Sequence, residues 1–216
     1  MSTLSSRSAE DVLAAIESAD RFLIQQLFKP LGNEYRISIP PPGTSDEGEP
    51  LLFVKQKKMA IKEDIRFRLD PDRDEHLFMI KSKSVFEFAG RHDVLAADGS
   101  PIGLLEKNFG KSLLRSHWQV SGADGSGILF EAQEKSLLIA LVRRVAGIVS
   151  DGLVGLLQWL PFDFVLRRDG QEIGHYRRVL GQFRDRYVLE PGPGAEGIDR
   201  RLLLAFAVAL DALQDR

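Results

Sequence analysis

The sequence predicts a mainly β protein, a twelve-stranded antiparallel barrel closed around one buried, apolar C-terminal helix. Three observations predict it. Short segments with strand character recur along most of the chain and are punctuated by turn residues. The stretch Leu202 to Leu210 is apolar at every position, so a helix there has no face for water. A six-residue turn motif occurs twice, which points to a repeated unit.

In chain order, Ser8 is placed to cap a short helix, with Asp11 three residues on in the position of a capping-box acid. Val12, Leu13 and Ile16 form its apolar stripe, and it ends near Ser18. Residues 1–19 are thus an N-terminal helical extension, and residues 20–216 form the barrel domain. Phe22 to Phe28 is the first strand. Tyr35, Ile37 and Ile39 alternate with Arg36 and Ser38 in the second, and Pro40-Pro41-Pro42-Gly43 then breaks the chain. Leu51 to Lys58 follows the acidic loop Ser45 to Pro50. Ile65, Phe67 and Leu69 alternate with Arg66 and Arg68 in a half-buried strand. Leu77 to Lys83, Phe86 to Ala97 (broken by Gly90), Ile102 to Lys107, Arg115 to Ser121 and Ile128 to Gln133 continue the series. Phe162 to Arg168, Glu172 to Val179 and Arg184 to Glu190 complete it.

Leu137 to Asp151 interrupts the strands. Leu137, Leu138, Ile139, Leu141, Val142, Val145, Ile148 and Val149 share one broad arc of a helical wheel, with Ile139 at its edge, opposite Arg143, Arg144, Gly147, Ser150 and Asp151, so an amphipathic helix is expected there. The last helix is expected over 198–213. It is too short to span a bilayer, which takes ~20 apolar residues. A barrel of twelve strands is too wide to fill with its own side chains, and a central helix fills it.

The repeat pairs Asp98-Gly99-Ser100-Pro101-Ile102-Gly103 with Asp169-Gly170-Gln171-Glu172-Ile173-Gly174. At the same offset Lys107 matches Arg178 and Gly110 matches Gly181. A two-residue slip then sets Trp118 opposite Tyr187. The hairpins near 98–121 and 169–190 read as two copies of one unit, with the amphipathic helix between them. Asp-Gly makes each turn, and Ile-Gly opens each return strand where a neighbour comes close.

Composition narrows the function. The chain has 216 residues, 44% of them hydrophobic and 28% charged, with a formal net charge of -2. That balance does not suit a nucleic-acid binder, and none is expected as a partner. With no cysteine, thiolate metal sites, disulfides and a cysteine nucleophile are excluded. The first twenty residues have no basic start and no apolar core of a secretory signal, so a cytoplasmic protein is expected.

The catalytic motifs fail on inspection. Gly192-Pro193-Gly194-Ala195-Glu196-Gly197 fits a dinucleotide fingerprint, but no second strand or distant acid follows it. Gly110-Lys111-Ser112 resembles the end of a phosphate-binding loop, yet Leu105 stands where its first glycine belongs. His76, His92, His117 and His175 are scattered without metal spacing. There is no nucleophile elbow. No catalytic residue, metal or cofactor is expected.

Several segments together resemble a bacterial member of the LURP-one-related family. They are Lys55-Gln56-Lys57-Lys58-Met59-Ala60 with the lead into Phe67, Phe109-Gly110-Lys111-Ser112-Leu113-Leu114-Arg115-Ser116-His117-Trp118, Asp185-Arg186-Tyr187-Val188-Leu189, and Ile198-Asp199-Arg200-Arg201 with the apolar run to Leu213. That family is related to the phospholipid scramblases and the Tubby C-terminal domain, and the resemblance runs from about Asp20 to Leu213. It implies a twelve-stranded barrel around a hydrophobic helix, and association with phospholipid headgroups or membranes. The chain departs from the scramblases in two respects. Asp185, Glu190, Glu196 and Asp199 before the last helix are broken by Arg184, Arg186 and a Gly-Pro loop, a poor match to a converging calcium loop. The cysteine-rich palmitoylation segment is absent.

Two surfaces are candidates for binding. Lys55, Lys57, Lys58, Lys62, Arg66 and Arg68, diluted only by Glu63 and Asp64, would attract anionic headgroups at ~1 kcal/mol per basic residue near a membrane. The alternative is a solvated strand face with cross-strand ion pairs. Leu141, Arg143, Arg144, Val145 and Trp159 in the amphipathic stretch 137–160 have the make-up of an interfacial helix. The alternatives there are packing on the barrel exterior or a protein partner. The expected function is non-enzymatic binding to an anionic phospholipid or membrane surface by a cytoplasmic, peripheral protein. The second reading is a protein-interaction or scaffold module without lipid affinity.

Overall fold

The computed structural model describes residues 7–29, 32–57, 64–82, 90–108, 117–125, 127–135, 163–179 and 185–213. Helix α1 (Ala9–Ser18) starts at a reciprocal cap. The Asp11 N–H donates to the Ser8 hydroxyl at 3.1 Å and the Ser8 N–H donates to the Asp11 carboxylate at 3.2 Å, which satisfies two amides that have no partner within the helix. The Ser8 hydroxyl also donates to the Asp11 carboxylate at 2.7 Å and, with the Ser8 N–H, holds that carboxyl below its usual range. Val12 and Ile16 face inward and are buried.

Twelve strands follow among the described residues: β1 (Phe22–Lys29), β2 (Gly32–Ser38), β3 (Pro50–Lys57), β4 (Asp64–Arg68), β5 (Phe78–Ser82), β6 (Gly90–Ala96), β7 (Pro101–Asn108), β8 (His117–Gly122), β9 (Ile128–Glu134), β10 (Asp163–Arg168), β11 (Gln171–Arg178) and β12 (Arg186–Pro191). Each is antiparallel to the next, and β1 closes the ring by pairing with β12 at Phe22–Leu189 and Ile24–Tyr187. Closure leaves no free sheet edge among the described strands. Helix α2 (Arg200–Ala212) comes last. Asp199 caps it by accepting the Arg201 N–H at 2.9 Å, so the helix begins two residues later than Ile198.

Inward side chains form one core. Ile24, Ile37, Val54, Phe67, Ile80, Val94, Leu105, Val120, Phe130, Leu166, Tyr176 and Leu189 are almost wholly buried. Along α2 every residue from Leu202 to Leu210 is buried. Phe206 meets Trp118 of β8 and Phe130 of β9 edge to face, with ring centroids 6.3 and 5.6 Å away. That geometry suits the ring quadrupoles. At the other side of the ring, Tyr35 of β2 and Tyr187 of β12 both donate to the Asp211 carboxylate, at 2.8 and 2.7 Å.

The two Asp-Gly turns differ in detail. Between β10 and β11, Asp169 and Gly170 both have positive φ (52° and 80°), whereas between β6 and β7 only Gly99 does, at 84°. The glycines four residues further on are alike. A Cβ on Gly103 would stand 2.5 Å from the Ser121 carbonyl oxygen and 2.7 Å from Leu202. One on Gly174 would stand 2.7 Å from the Glu190 carbonyl oxygen. Lys107 pairs with Trp118 across β7–β8, and Arg178 pairs with Tyr187 across β11–β12.

An up-and-down barrel sends alternate connections to opposite ends. The links β1–β2, β3–β4, β5–β6, β7–β8, β9–β10 and β11–β12 all leave from one end, called here the upper rim. The C-terminus of α2 lies at that rim, since Gln56, next to the last residue of β3, donates from Nε2 to the Ala212 carbonyl at 3.4 Å. Helix α1 lies at the opposite end, where Leu13 and Glu17 line a small cleft with Asp199 and Arg201.

Candidate functional site

Strand parity decides which way each candidate points. On β3, Leu52, Val54 and Gln56 face inward, so Phe53 and Lys55 face out. On β4, Ile65 and Phe67 face inward, so Arg66 and Arg68 face out. Pairing then assembles two neighbouring outward rows. Gln25, Arg36, Phe53 and Arg68 form one across β1 to β4. Leu27, Glu34, Lys55 and Arg66 form the next.

Of the basic stretch, Lys55, Arg66 and Arg68 each meet an acid. The Lys55 ammonium is 4.0 Å from Glu34 and half exposed. Arg66 donates from Nε and Nη2 to Asp64, at 3.1 and 2.9 Å. Arg68 is only 4% exposed, so it lies off the open surface that the linear sequence suggested. The turn after β4 folds back over it. Its Nη1 donates to the Arg73 carbonyl at 3.0 Å and its Nη2 to Asp74 at 2.9 Å. Asp70 stiffens the same turn by accepting the Asp72 N–H at 2.9 Å. Lys57 is placed by its backbone at the end of β3. Lys58 and Lys62 fall outside the described residues, as do Leu141, Arg143, Arg144, Val145, Trp159 and the whole amphipathic stretch 137–160.

The turn and the two rows enclose a cleft of about 460 Å³ on the barrel's outer face, lined by Arg36, Phe53, Lys55, Arg68, Glu34, Leu27, Pro71 and Asp72. The Arg36 guanidinium sits 5.8 Å from the Phe53 ring centroid, within reach of the ring's negative face. Glu47, from the loop before β3, pairs with Arg36.

The inward face of the upper rim is polar. Gln56, Ser82, His92, Lys107 and Glu134 continue the inward rows above the apolar core. The Ser82 hydroxyl and His92 Nδ1 share a hydrogen bond of 3.0 Å. Burial pulls the His92 pKa down to about 4, Asp93 opposes that shift, and Lys107 adds to it. The Lys107 ammonium is 5.8 Å from the Trp118 ring centroid. Burial, then the Asp211 carboxylate, holds the Tyr187 phenol far above its ordinary range. Burial does the same to Tyr176, whose ring stacks on Tyr187 at 5.3 Å. This collar closes the core and ties down the end of α2. No group of acids and histidines suited to a metal occurs among the described residues. No helix among them is long and apolar enough to cross a membrane.

Sequence reasoning missed Arg36, Phe53, Glu34 and Asp72 as members of one site. Their shared signal is outward parity on neighbouring strands, and register alone brings them together. It also missed the polar rim, whose members belong to different strands.

Comparison with curated proteins finds no match. A family model described as LURP-one-related matches residues 51–211. The matched span takes in nearly all of β3 to β12 and ends on Asp211, the carboxylate that anchors the last helix. With most of its length matched in this way, the chain belongs to the LURP-one-related family.

Proposed function

We propose that this protein is a non-enzymatic, peripheral binder of anionic membrane surfaces, acting from the cytoplasmic side through the upper rim of its barrel. One observation supports the reading best. The basic segment beginning at Lys55 and the amphipathic segment 137–160 are far apart in sequence, yet the strand ends that flank them lie at the same end of the barrel. Strand β3 ends at Lys57 and β4 starts at Asp64, while β9 ends at Glu134 and β10 starts at Asp163. In an up-and-down ring both connections belong to one rim. The flanking strand pairs β3–β4 and β9–β10 stand on opposite sides of the ring, and a cationic and an apolar connection at one rim suit binding to a flat membrane surface.

Within this reading Lys55, Lys57, Lys58 and Lys62 supply the headgroup attraction. Leu141, Val145 and Trp159 insert, with Arg143 and Arg144 at headgroup level. Arg66 and Arg68 contribute less, because Asp64 and Asp74 already neutralise them. The barrel is a rigid support: two related hairpin units closed around α2, whose apolar residues fill the lumen. The matched pairs Lys107–Trp118 and Arg178–Tyr187, and the close approaches at Gly103 and Gly174, favour that duplication.

Co-sedimentation with vesicles tests the function. Binding to anionic but not to phosphatidylcholine vesicles is expected, weakening as salt rises past the point where the Debye length is about 8 Å. It should be lost on reversing Lys55, Lys57 and Lys58 to glutamate. An absence of binding to every vesicle would turn the reading towards a protein partner at 137–160, for which salt-insensitive docking is expected.

A further inference from the structure

We propose that the outer cleft over β2, β3 and β4 binds a small zwitterion, an ammonium and an anionic group joined by a short chain, as in an aminophospholipid headgroup. The inference rests in part on the membrane reading above and narrows its ligand.

The cleft is built in advance. Arg68 is an almost fully buried cation, and both its terminal nitrogens hold the Asp70–Asp74 turn in place. Burying a guanidinium is costly unless it is paired and hydrogen-bonded. The turn it secures forms one wall of the cleft, and Asp70 fixes that wall from within. A site held in shape before binding loses less entropy on binding. Arg68 is therefore a positioning residue rather than a ligand contact.

The charges lining the cleft are mixed. Arg36, Lys55 and Arg68 stand against Glu34 and Asp72. Glu47 and Asp74 then offset Arg36 and Arg68. What faces a ligand is the half-exposed Lys55 ammonium, with Glu34 beside it at 4.0 Å, and the exposed Asp72 carboxylate, which makes no ion pair among the described residues. The half-buried Phe53 lies in the row beside that of Lys55 and pairs with Arg68, whose guanidinium holds the turn that carries Asp72. A polyanion would meet Glu34 and Asp72 and be repelled. A zwitterion finds a cation for its anionic group and a carboxylate for its ammonium, with an apolar floor under the linking chain. The Leu27–Glu34–Lys55 end of the cleft points to the upper rim, where a membrane-seated headgroup would enter.

Soluble probes at matched salt separate the possibilities: phosphoethanolamine, inositol trisphosphate, inorganic phosphate, and short-chain phosphatidylethanolamine or phosphatidylglycerol below their micelle concentrations. Calorimetry should show the two ethanolamine probes binding about tenfold or more tighter than inorganic phosphate. Backbone amide shifts should centre on Phe53, Lys55 and Asp72. Lys55→Gln and Asp72→Asn should each weaken that binding about tenfold without changing Tm, while Arg91→Gln, on β6, should leave it unchanged. Equal binding of all probes, or indifference to Asp72→Asn, would overturn the proposal. If inositol trisphosphate binds tightest, it fails as well. Vesicle binding that persists with no ethanolamine response sinks the cleft and leaves the membrane reading standing. Phosphoethanolamine binding without vesicle binding keeps the cleft, assigns it a free zwitterion, and removes the membrane reading.

Discussion

Asp211 stands one residue before the end of α2 and takes hydrogen bonds from two phenols that are themselves buried, Tyr35 and Tyr187. Replacing it strands both donors, and a buried donor left unmade costs about 1–3 kcal/mol. Asp211→Ala is expected to lower unfolding free energy by about 3 kcal/mol, and Asp211→Asn, which keeps one acceptor, by less. Urea unfolding measures both. His92 gives a pH signature of known sign. Its folded pKa of about 4 lies below the unfolded value of 6.5, so the unfolded chain binds the proton first. The stability from neutral His92 is fully present above pH 6.5 and is lost as pH falls towards 4. The loss amounts to about 3 kcal/mol at most. Urea midpoints between pH 7 and 4 should fall less steeply in His92→Gln. A slope unchanged by that substitution would mean that other groups set the acid response. At this scale the sequence was least informative. Arg68 reads as one more surface cation in a basic stretch, and only a turn folded back onto it changes its role.

Single elements were the most legible. The cap at Ser8 and Asp11 lies where the spacing predicts, because a capping box is made within four residues. Ser8→Ala is expected to cost about 1 kcal/mol, read by faster amide exchange in α1 ahead of the barrel. Strand parity was equally local: Trp118 is wholly buried while the adjacent His117 faces out to Glu131 at 3.6 Å. Strand ends were set by neighbours instead. The second strand stops at Ser38, and Ile39 is left 37% exposed beside the proline run. The glycines of the paired turns serve backbone proximity. Gly103→Ala would drive a methyl into the Ser121 carbonyl and Leu202, so a loss of about 1–3 kcal/mol is expected, measured by thermal unfolding. The same change at Gly99, where nothing lies nearby but φ is positive, should cost less, about 1 kcal/mol.

At the scale of the molecule the ring and the last helix depend on each other. Leu203, Ala205, Phe206 and Ala207 are wholly buried. A chain ending at Gly197 would leave the inward faces of Trp118 and Phe130 without their partner Phe206, a void too large for repacking. Such a chain is expected to lose its cooperative thermal transition and to bind a hydrophobic dye.

By itself the sequence determined the class of fold, because alternation, turn dipeptides and capping act over a few residues and leave their pattern in the linear chain. It also determined that the last helix must be covered, since Leu202 to Leu210 offers no polar face. The tertiary structure alone decided closure of β1 on β12, which joins residues from the two ends of the chain. It alone decided the cleft, whose walls come from four strands and a turn. Inter-strand register is set by packing around the whole ring, and no local stretch of sequence contains it.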